Sequence, residues 1–238
     1  MAEWQQKRFW ADVSVEPTPQ GFAVALDGRR IKTPEKAELL VPTRALASAI
    51  AEEWRRVEAE IRPETMPLTR AANAALDKVV PQFTAVADLV AAYGATDLLC
   101  YRADAPAGLV AAQKTAWDPW LHWCAATLGA PLLQTTGVLP IAQPGASLAA
   151  LRARVARQSA FELTAFHDLV TLSGSLILGL AVAEGALAPA EAWDLSRIDE
   201  DWQAAQWGLD AEAEAAANAR RAAFLSADTL LGLTREIA

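Results

Sequence analysis

The chain of 238 residues has 53% hydrophobic and 21% charged residues and a formal net charge of -8 at pH 7. This length is enough to bury a core, and the composition is typical of a globular protein and not of a disordered one. The negative charge argues against nucleic acid as a partner, because proteins that bind it usually present basic surfaces.

The cysteines and the first residues bear on the compartment. Cys100 and Cys124 match neither a disulfide framework nor a metal-binding spacing, and their apolar neighbours predict buried free thiols in a reducing compartment. The opening MAEWQQKRFW has no apolar segment behind its charges, so we expect no secretory signal. The expected location is the cytoplasm, or a matrix if a targeting peptide was removed.

The first forty residues predict antiparallel β-structure. Four short segments follow one another, FWADVSV, FAVAL, RRIKT and LLVP, and Asp27-Gly28 between the second and the third is a strong hairpin signal. From Thr43, a plausible helix cap, the period changes to steps of three and four, with Leu46, Ile50, Trp54, Val57 and Ile61 on one stripe. We expect an amphipathic helix that ends before Pro63, with Trp54 in the structural core.

Beyond Pro67 the pattern is helical almost throughout. Asp118-Pro119 predicts a helix start with proline at its first position, and a short extended piece is expected near residues 132–139. The apolar run at residues 169–183 is shorter than the ~20 residues of a membrane helix and predicts a buried core helix, so no membrane insertion is expected. The predicted fold class is α+β, with a small β-rich N-terminal domain and its helix at residues 1–80 and an all-helical domain at residues 81–238.

Signatures of an enzyme are missing from the sequence. No glycine-rich phosphate loop ends in lysine, so we expect no nucleotide. His122 and His167 stand far apart without ligand spacing and are interpreted as structural. Asp199, Glu200 and Asp201 are consecutive, and helical neighbours point about 100° apart, so they do not converge on one ion. We expect no catalytic residue, no metal site and no cofactor.

Acidic residues concentrate late in the chain. Residues 184–214 hold nine carboxylates against Arg197 alone, a local charge of -8, whereas residues 1–70 hold eleven acidic and eleven basic side chains. A solvated surface explains such a run, and so does a docking surface for a basic partner.

A helical wheel over this region separates two faces. One is an apolar stripe with Leu195, Ile198, Trp202 and Ala205, which predicts Trp202 in the structural core. The opposite face carries Trp193, Glu200, Gln203 and Trp207. Either the helix is buried on both faces, with Glu200 paired internally to an arginine, or this second face is open and binds a partner, because tryptophan is enriched at interfaces.

Eight stretches of the sequence, taken in order, resemble the assembly chaperones of the F-type ATP synthase that attend the alpha subunit of its catalytic head. They are KRFW, VALDGRRIKTP, VPTRALASAIAEEW, RPETMPLTRAANAALD, ATDLLCYRAD, QKTAWDPWLHW, SLILGLAVAEGAL and RIDEDWQAAQWG. Together they cover almost the whole chain. VEAEI after Trp54 departs from the family pattern, so no role is assigned to residues 57–59.

The resemblance implies a chaperone without enzymatic activity or an ATP requirement, which keeps the free alpha subunit soluble until the beta subunit replaces it. It also implies a small β-containing domain on a helical domain. The family's Glu-Trp pair falls on Glu53 and Trp54. Its Asp-Glu motif falls on Asp199 and Glu200, with Gln203, Trp207 and Gly208 beside it.

The expected partner-binding residues are therefore Glu200, Asp199, Gln203, Trp207 and Trp193. Two other hypotheses compete: an acidic interaction module with a different client, and an enzyme that uses Asp199 and Glu200 for acid-base chemistry. An open acidic and aromatic face favours binding, whereas a closed pocket with a perturbed carboxylate favours the enzyme.

Overall fold

The computed structural model describes residues 7–137, 139–208 and 210–235. Within these residues the strands are β1 Val13–Thr18, β2 Gly21–Leu26, β3 Arg29–Arg30, β4 Leu40–Val41, β5 Tyr101–Arg102 and β6 Thr135–Thr136. The first α-helices are α1 Arg44–Arg55, α2 Pro67–Ala74, α3 Phe83–Ala91, α4 Ala107–Leu128 and α5 Gly145–Val155. The later ones are α6 Ala160–Ser173, α7 Leu176–Ala183, α8 Pro189–Ser196, α9 Ile198–Trp207 and α10 Ala211–Thr234. The predicted α+β class is confirmed.

The described residues form two compact units. The first comprises residues 7–83, 159–165 and 229–235, and the second comprises 84–137, 139–158, 166–208 and 210–228. Residues 159–165 and 229–235 therefore belong to the same unit as the N-terminal residues. A simple division of the chain into residues 1–80 and 81–238 does not describe this grouping. That division into domains stays a prediction.

The sheet of the first unit is organised around β2. β1 pairs antiparallel with β2 from Val13 opposite Leu26 to Thr18 opposite Gly21, while β3 and β4 pair with opposite ends of β2. Asp27 and Gly28 both have positive φ, 47° and 74°, as a tight hairpin turn requires. The predicted hairpin is confirmed, and the Asp27 carboxylate further accepts a hydrogen bond of 2.8 Å from the Asp12 N–H.

Helix α1 is shorter than the sequence predicts. The Thr43 hydroxyl accepts a hydrogen bond of 3.1 Å from the Leu46 N–H, so the predicted cap is confirmed. Leu46 and Ile50 are fully buried. The expectation that the helix continues to Pro63 is wrong, because it ends at Arg55 and Ala59 then accepts a hydrogen bond from the Arg8 N–H in an extended arrangement.

Two predicted helix boundaries in the second unit are also wrong. Pro119 does not begin a helix, since α4 continues through it from Ala107 to Leu128. Proline inside a helix is costly, and here the neighbouring side chains compensate: Trp117 is fully buried and Asp118 forms an ion pair. The run at residues 169–183 is not one helix, because α6 ends at Ser173 and Gly174 adopts a positive φ of 72° before α7 begins.

Helix α7 is buried along its whole length and begins over a buried carboxylate. Asp97 is fully buried and accepts hydrogen bonds from the Ser175 hydroxyl at 2.8 Å and the Ile177 N–H at 3.0 Å. Ser175 in turn caps the helix by accepting from the Leu178 N–H. Desolvation raises the pKa of Asp97 from 3.8 to about 6, although the hydrogen bonds from Ile177 and Ser175 oppose that rise.

One run of consecutive helical turns, Pro67–Cys100, is long and apolar enough to cross a membrane by length and composition alone. It is not a regular helix, because it joins α2 and α3 to short turns of 3-10 and π helix. The buried core helix of a soluble protein passes the same test. The run is therefore weak evidence for a membrane segment.

The buried Asp97 makes stability depend on pH in a defined direction. Because its folded pKa lies above the ordinary 3.8, the folded protein binds this proton more tightly than the unfolded chain does. Its stabilising contribution is complete below about pH 3.8 and is lost as the pH rises through about 6. The full difference is about 3 kcal/mol.

Asp97→Asn has no such proton and removes this dependence. We expect the free energy of unfolding of the wild type, measured relative to this variant by urea titration, to decrease by about 2 to 3 kcal/mol between about pH 4 and pH 7. Parallel pH profiles for the two proteins would show that Asp97 titrates normally in the folded state.

Candidate functional site

Helix α9 lies antiparallel to α4 within the second unit. Just before α9, the Leu195 carbonyl accepts a hydrogen bond of 2.8 Å from the Trp117 indole N–H. One turn later the Asp199 carboxylate accepts from the Gln113 amide at 2.6 Å. Farther along, the Trp202 ring lies against Gly108. Residue numbers rise along α9 as they fall along α4, which defines the antiparallel direction.

The α4 side of this contact is a buried polar network. Gln113 is 1% exposed, and its side-chain oxygen accepts a hydrogen bond of 2.8 Å from the Ala103 N–H. Arg102 donates to the Gln113 carbonyl at 3.2 Å and forms an ion pair of 2.9 Å with Asp118. The Arg102 guanidinium also lies 5.2 Å from the ring centre of Trp117. Sequence reasoning missed Gln113 and Arg102, because a single polar residue in a helical pattern is ordinarily on the surface.

Glu200, Gln203 and Trp207 lie on the solvent-exposed surface of α9. All three are exposed, and Trp207 is 80% exposed at the last turn of the helix. Their spacing of three and four residues places them on one helical face. Glu200 pairs with Arg197 at 2.7 Å, but this pair is itself at the surface, so the carboxylate remains accessible. We call Glu200, Gln203 and Trp207 the outer face of α9.

The expectation that Trp193 shares this open face is wrong. Trp193 is 4% exposed, and its ring centre lies 5.7 Å from that of Phe224. The wheel assumed one continuous helix, whereas α8 ends at Ser196 and α9 begins at Ile198, with Arg197 between them in a non-helical conformation. The break changes the angular relation between residues before and after it, so Trp193 points into its unit.

Asp199 and Trp202 lie on the α4 side, where neither is fully buried. An added Cβ at Gly108 would come within 2.5 Å of the Trp202 ring, so the absence of a side chain there leaves space for the indole. Trp202 is thus a half-buried residue that packs against α4, and not the fully buried core residue that we expected. Ala205, assigned to the same stripe, is exposed.

Glu53 and Trp54 lie in the first unit, and both make contacts within the fold. The Glu53 carboxylate accepts hydrogen bonds from the Leu68 N–H at 2.7 Å and the Thr69 N–H at 2.8 Å, which caps the start of α2. Trp54 is half-buried, and its ring centre lies 5.2 Å from that of Trp10. Trp54 is therefore not fully buried, in contrast to what we expected of a core residue. Glu53 also borders an open concavity of about 670 Å³.

The charge around the outer face of α9 is strongly negative. Besides Glu200, the exposed carboxylates of this segment include Asp194, Asp201, Asp210, Glu212 and Glu214. Glu184, which belongs to the same acidic stretch, instead forms an ion pair of 2.6 Å with Arg154. The combination of an exposed indole and exposed acidic groups is suited to binding a polypeptide with basic and apolar groups.

Comparisons with known proteins agree with this class of polypeptide-binding protein. Residues 7–125 match the model of the ATP12 chaperone protein family. The protein atp12, mitochondrial, of Schizosaccharomyces pombe is 24% identical over 216 residues, which cover 85% of this chain and 74% of that protein. The crystal structure of Atp12 from Paracoccus denitrificans is 54% identical with a TM-score of 0.94, and the match covers 96% of this chain and 98% of that chain. A solved structure from Agrobacterium tumefaciens is 38% identical with a TM-score of 0.93, covering 97% and 87% of the two chains.

The chain belongs to the ATP12 chaperone family. The resemblance to ATP synthase assembly chaperones that the sequence motifs carry is thereby confirmed. By name the family is one of chaperones and not of enzymes.

Because Gly108 and Trp202 lie so close together, the effect of Gly108→Ala on stability should depend on which residue occupies position 202. Gly108→Ala forces the indole to move, and we expect it to lower the free energy of unfolding by about 1 kcal/mol. In a Trp202→Ala background the obstacle is gone and alanine favours the helix, so the same substitution becomes neutral or stabilising by up to about 1 kcal/mol. A double-mutant cycle by urea unfolding measures the coupling, and additive effects would contradict the contact.

Proposed function

We propose that this protein binds the free alpha subunit of the F-type ATP synthase catalytic head and shields its beta-subunit interface until assembly. Membership of the ATP12 chaperone family supports the assembly role. The observation that carries the assignment of the contact surface is the outer face of α9, where Trp207 is 80% exposed beside Glu200 and Gln203. An indole so exposed is costly to leave in water and gains by burial against a partner.

The requirement on such a chaperone is physical. A subunit that waits for its partner exposes an apolar interface, and surfaces of that kind aggregate. A cover over part of this interface keeps the subunit soluble. An interface of roughly 1,200 to 2,000 Å² anchored by a few aromatic and polar residues is sufficient for specific binding and still yields to a larger permanent contact.

Charge contributes mainly to the approach and orientation of the client. The acidic residues around α9 attract basic groups on the alpha subunit and accelerate encounter. Most of these carboxylates are exposed, so each ion pair with the client adds little to affinity. The affinity therefore depends on the apolar contact of Trp207, and the charges select the partner.

Two relatives support a proposal for the compartment: one is a mitochondrial protein, and another comes from the bacterium Paracoccus denitrificans. We infer that the protein acts in the bacterial cytoplasm or in the mitochondrial matrix, where the catalytic head is assembled. The two compartments pose the same physical problem of an unpaired subunit interface.

Glu200→Lys tests the acidic part of the outer face. We expect the variant to fold normally, because a surface ion pair contributes no more than about 1 kcal/mol. We also expect it to lose capture of purified alpha subunit in a pull-down, because a lysine does more than remove one ion pair: it repels the basic groups of the client. Glu191→Lys is the matched control, since Glu191 is also exposed and acidic but lies on α8. If both variants lose capture equally, general charge and not this face governs binding; an early-melting Glu200→Lys would make Glu200 structural.

Trp207→Ala tests the apolar part. We expect the melting temperature to stay unchanged and the Kd for alpha to rise roughly thirtyfold, which corresponds to about 2 kcal/mol for an anchoring tryptophan. Leu139→Ala is the control, because Leu139 is 75% exposed but lies outside the outer face. Unchanged affinity of Trp207→Ala in a titration of labelled alpha subunit would remove the outer face from the proposed contact.

A further inference from the structure

The bond between Gln113 and Asp199 has a direction that the surrounding backbone imposes. The Gln113 side-chain oxygen accepts from the Ala103 N–H, and a backbone N–H can only donate. The amide nitrogen of Gln113 must therefore face Asp199, at 2.6 Å. Position 199 consequently needs an acceptor, which a carboxylate or an amide oxygen supplies, and it does not need a charge.

The hydrogen bond between Gln113 and Asp199 contributes substantially to the attachment of α9 to α4. None of the residues of α9 is buried, so apolar burial contributes less to its attachment than it does for an ordinary surface helix. Gln113 is itself fixed, because Arg102 donates to its carbonyl and is held by Asp118. A fixed, buried donor that loses its acceptor costs the full desolvation of that group.

Asp199 and the outer face belong to the same helix but have different surroundings. Asp199 Oδ1 accepts a hydrogen bond from α4, whereas Glu200, Gln203 and Trp207 are exposed to solvent. A helix that tilts about its first turn carries all three outer side chains with it. The geometry of the outer face therefore depends on the attachment of Asp199.

We propose that Asp199 and Gln113 form a positioning pair, which orients the outer face of α9 for the alpha subunit without either residue touching it. This inference rests on the proposed function above. It divides the adjacent acidic residues into two roles: Asp199 faces inward and holds the helix, and Glu200 faces outward toward the client.

Four full-length variants test the pair against purified alpha subunit. Asp199→Asn keeps an acceptor oxygen for Gln113 and removes the charge. Gln113→Leu removes the donor. Gln113→Glu places a carboxylate against Asp199, and the double variant Gln113→Glu with Asp199→Asn restores a hydrogen bond with donor and acceptor exchanged.

We expect Asp199→Asn to bind alpha within about threefold of the wild type, because it retains the hydrogen bond. Gln113→Leu and Gln113→Glu are expected to bind roughly tenfold or more weakly, as loss of a hydrogen bond to a charged group implies. The double variant is expected to recover most of that loss. A purely structural defect in α4 does not produce this recovery.

Three results would overturn the proposal. They are loss of binding in Asp199→Asn, which assigns its charge to direct contact; wild-type binding in Gln113→Glu; and a double variant no better than Gln113→Glu. Amide hydrogen exchange of residues 198–207 is measured without the client and is expected to be faster in Gln113→Glu and slow again in the double variant. If wild-type protein does not bind alpha, the proposed function fails, and the exchange experiment still decides whether the pair holds α9.

Discussion

The antiparallel attachment of α9 to α4 is the interaction on which the candidate surface depends. It is made through polar groups with defined directions: the Gln113 amide donates to Asp199 on α9, and just before this helix the Trp117 indole N–H donates to the Leu195 carbonyl at the end of α8. Apolar contacts tolerate small shifts in angle and register, whereas directional hydrogen bonds specify one orientation. A helix without buried residues is held in this way at its first turns, which leaves its opposite side free of the requirements of folding.

The parts of the fold that sequence reasoning predicted correctly are those in which local chemistry decides the conformation. Asp27-Gly28 forms its turn because few other residue pairs adopt positive φ at both positions, and Thr43 caps α1 through its own hydroxyl. The helix start expected at Pro119 failed because tertiary contacts overrode a local preference. Burial of Trp117 and the ion pair of Asp118 stabilise α4 through the proline, and such contacts are not visible in the spacing of residues.

The same distinction between local chemistry and tertiary contacts applies to the candidate site. The wheel placed Glu200, Gln203 and Trp207 on one side of a helix, and these residues do lie together and exposed on α9. It failed for Trp193, because the break at Arg197 has neither glycine nor proline to mark it. Gln113 was invisible for a different reason: it lies 86 positions before Asp199, and one polar residue in a helical pattern is ordinarily exposed. Whether these exposed residues bind a client stays a prediction.

The arrangement separates the residues that stabilise the fold from those assigned to the client, and this separation matters for a chaperone. A binding residue that also stabilises the core ties affinity to folding, so any change in one alters the other. On α9, Asp199 and Trp202 contact α4, whereas the outer face consists of exposed side chains. In the proposed function, release requires only that the beta subunit offer the alpha subunit a larger apolar contact, since a small interface with exposed charges dissociates quickly once its place is contested.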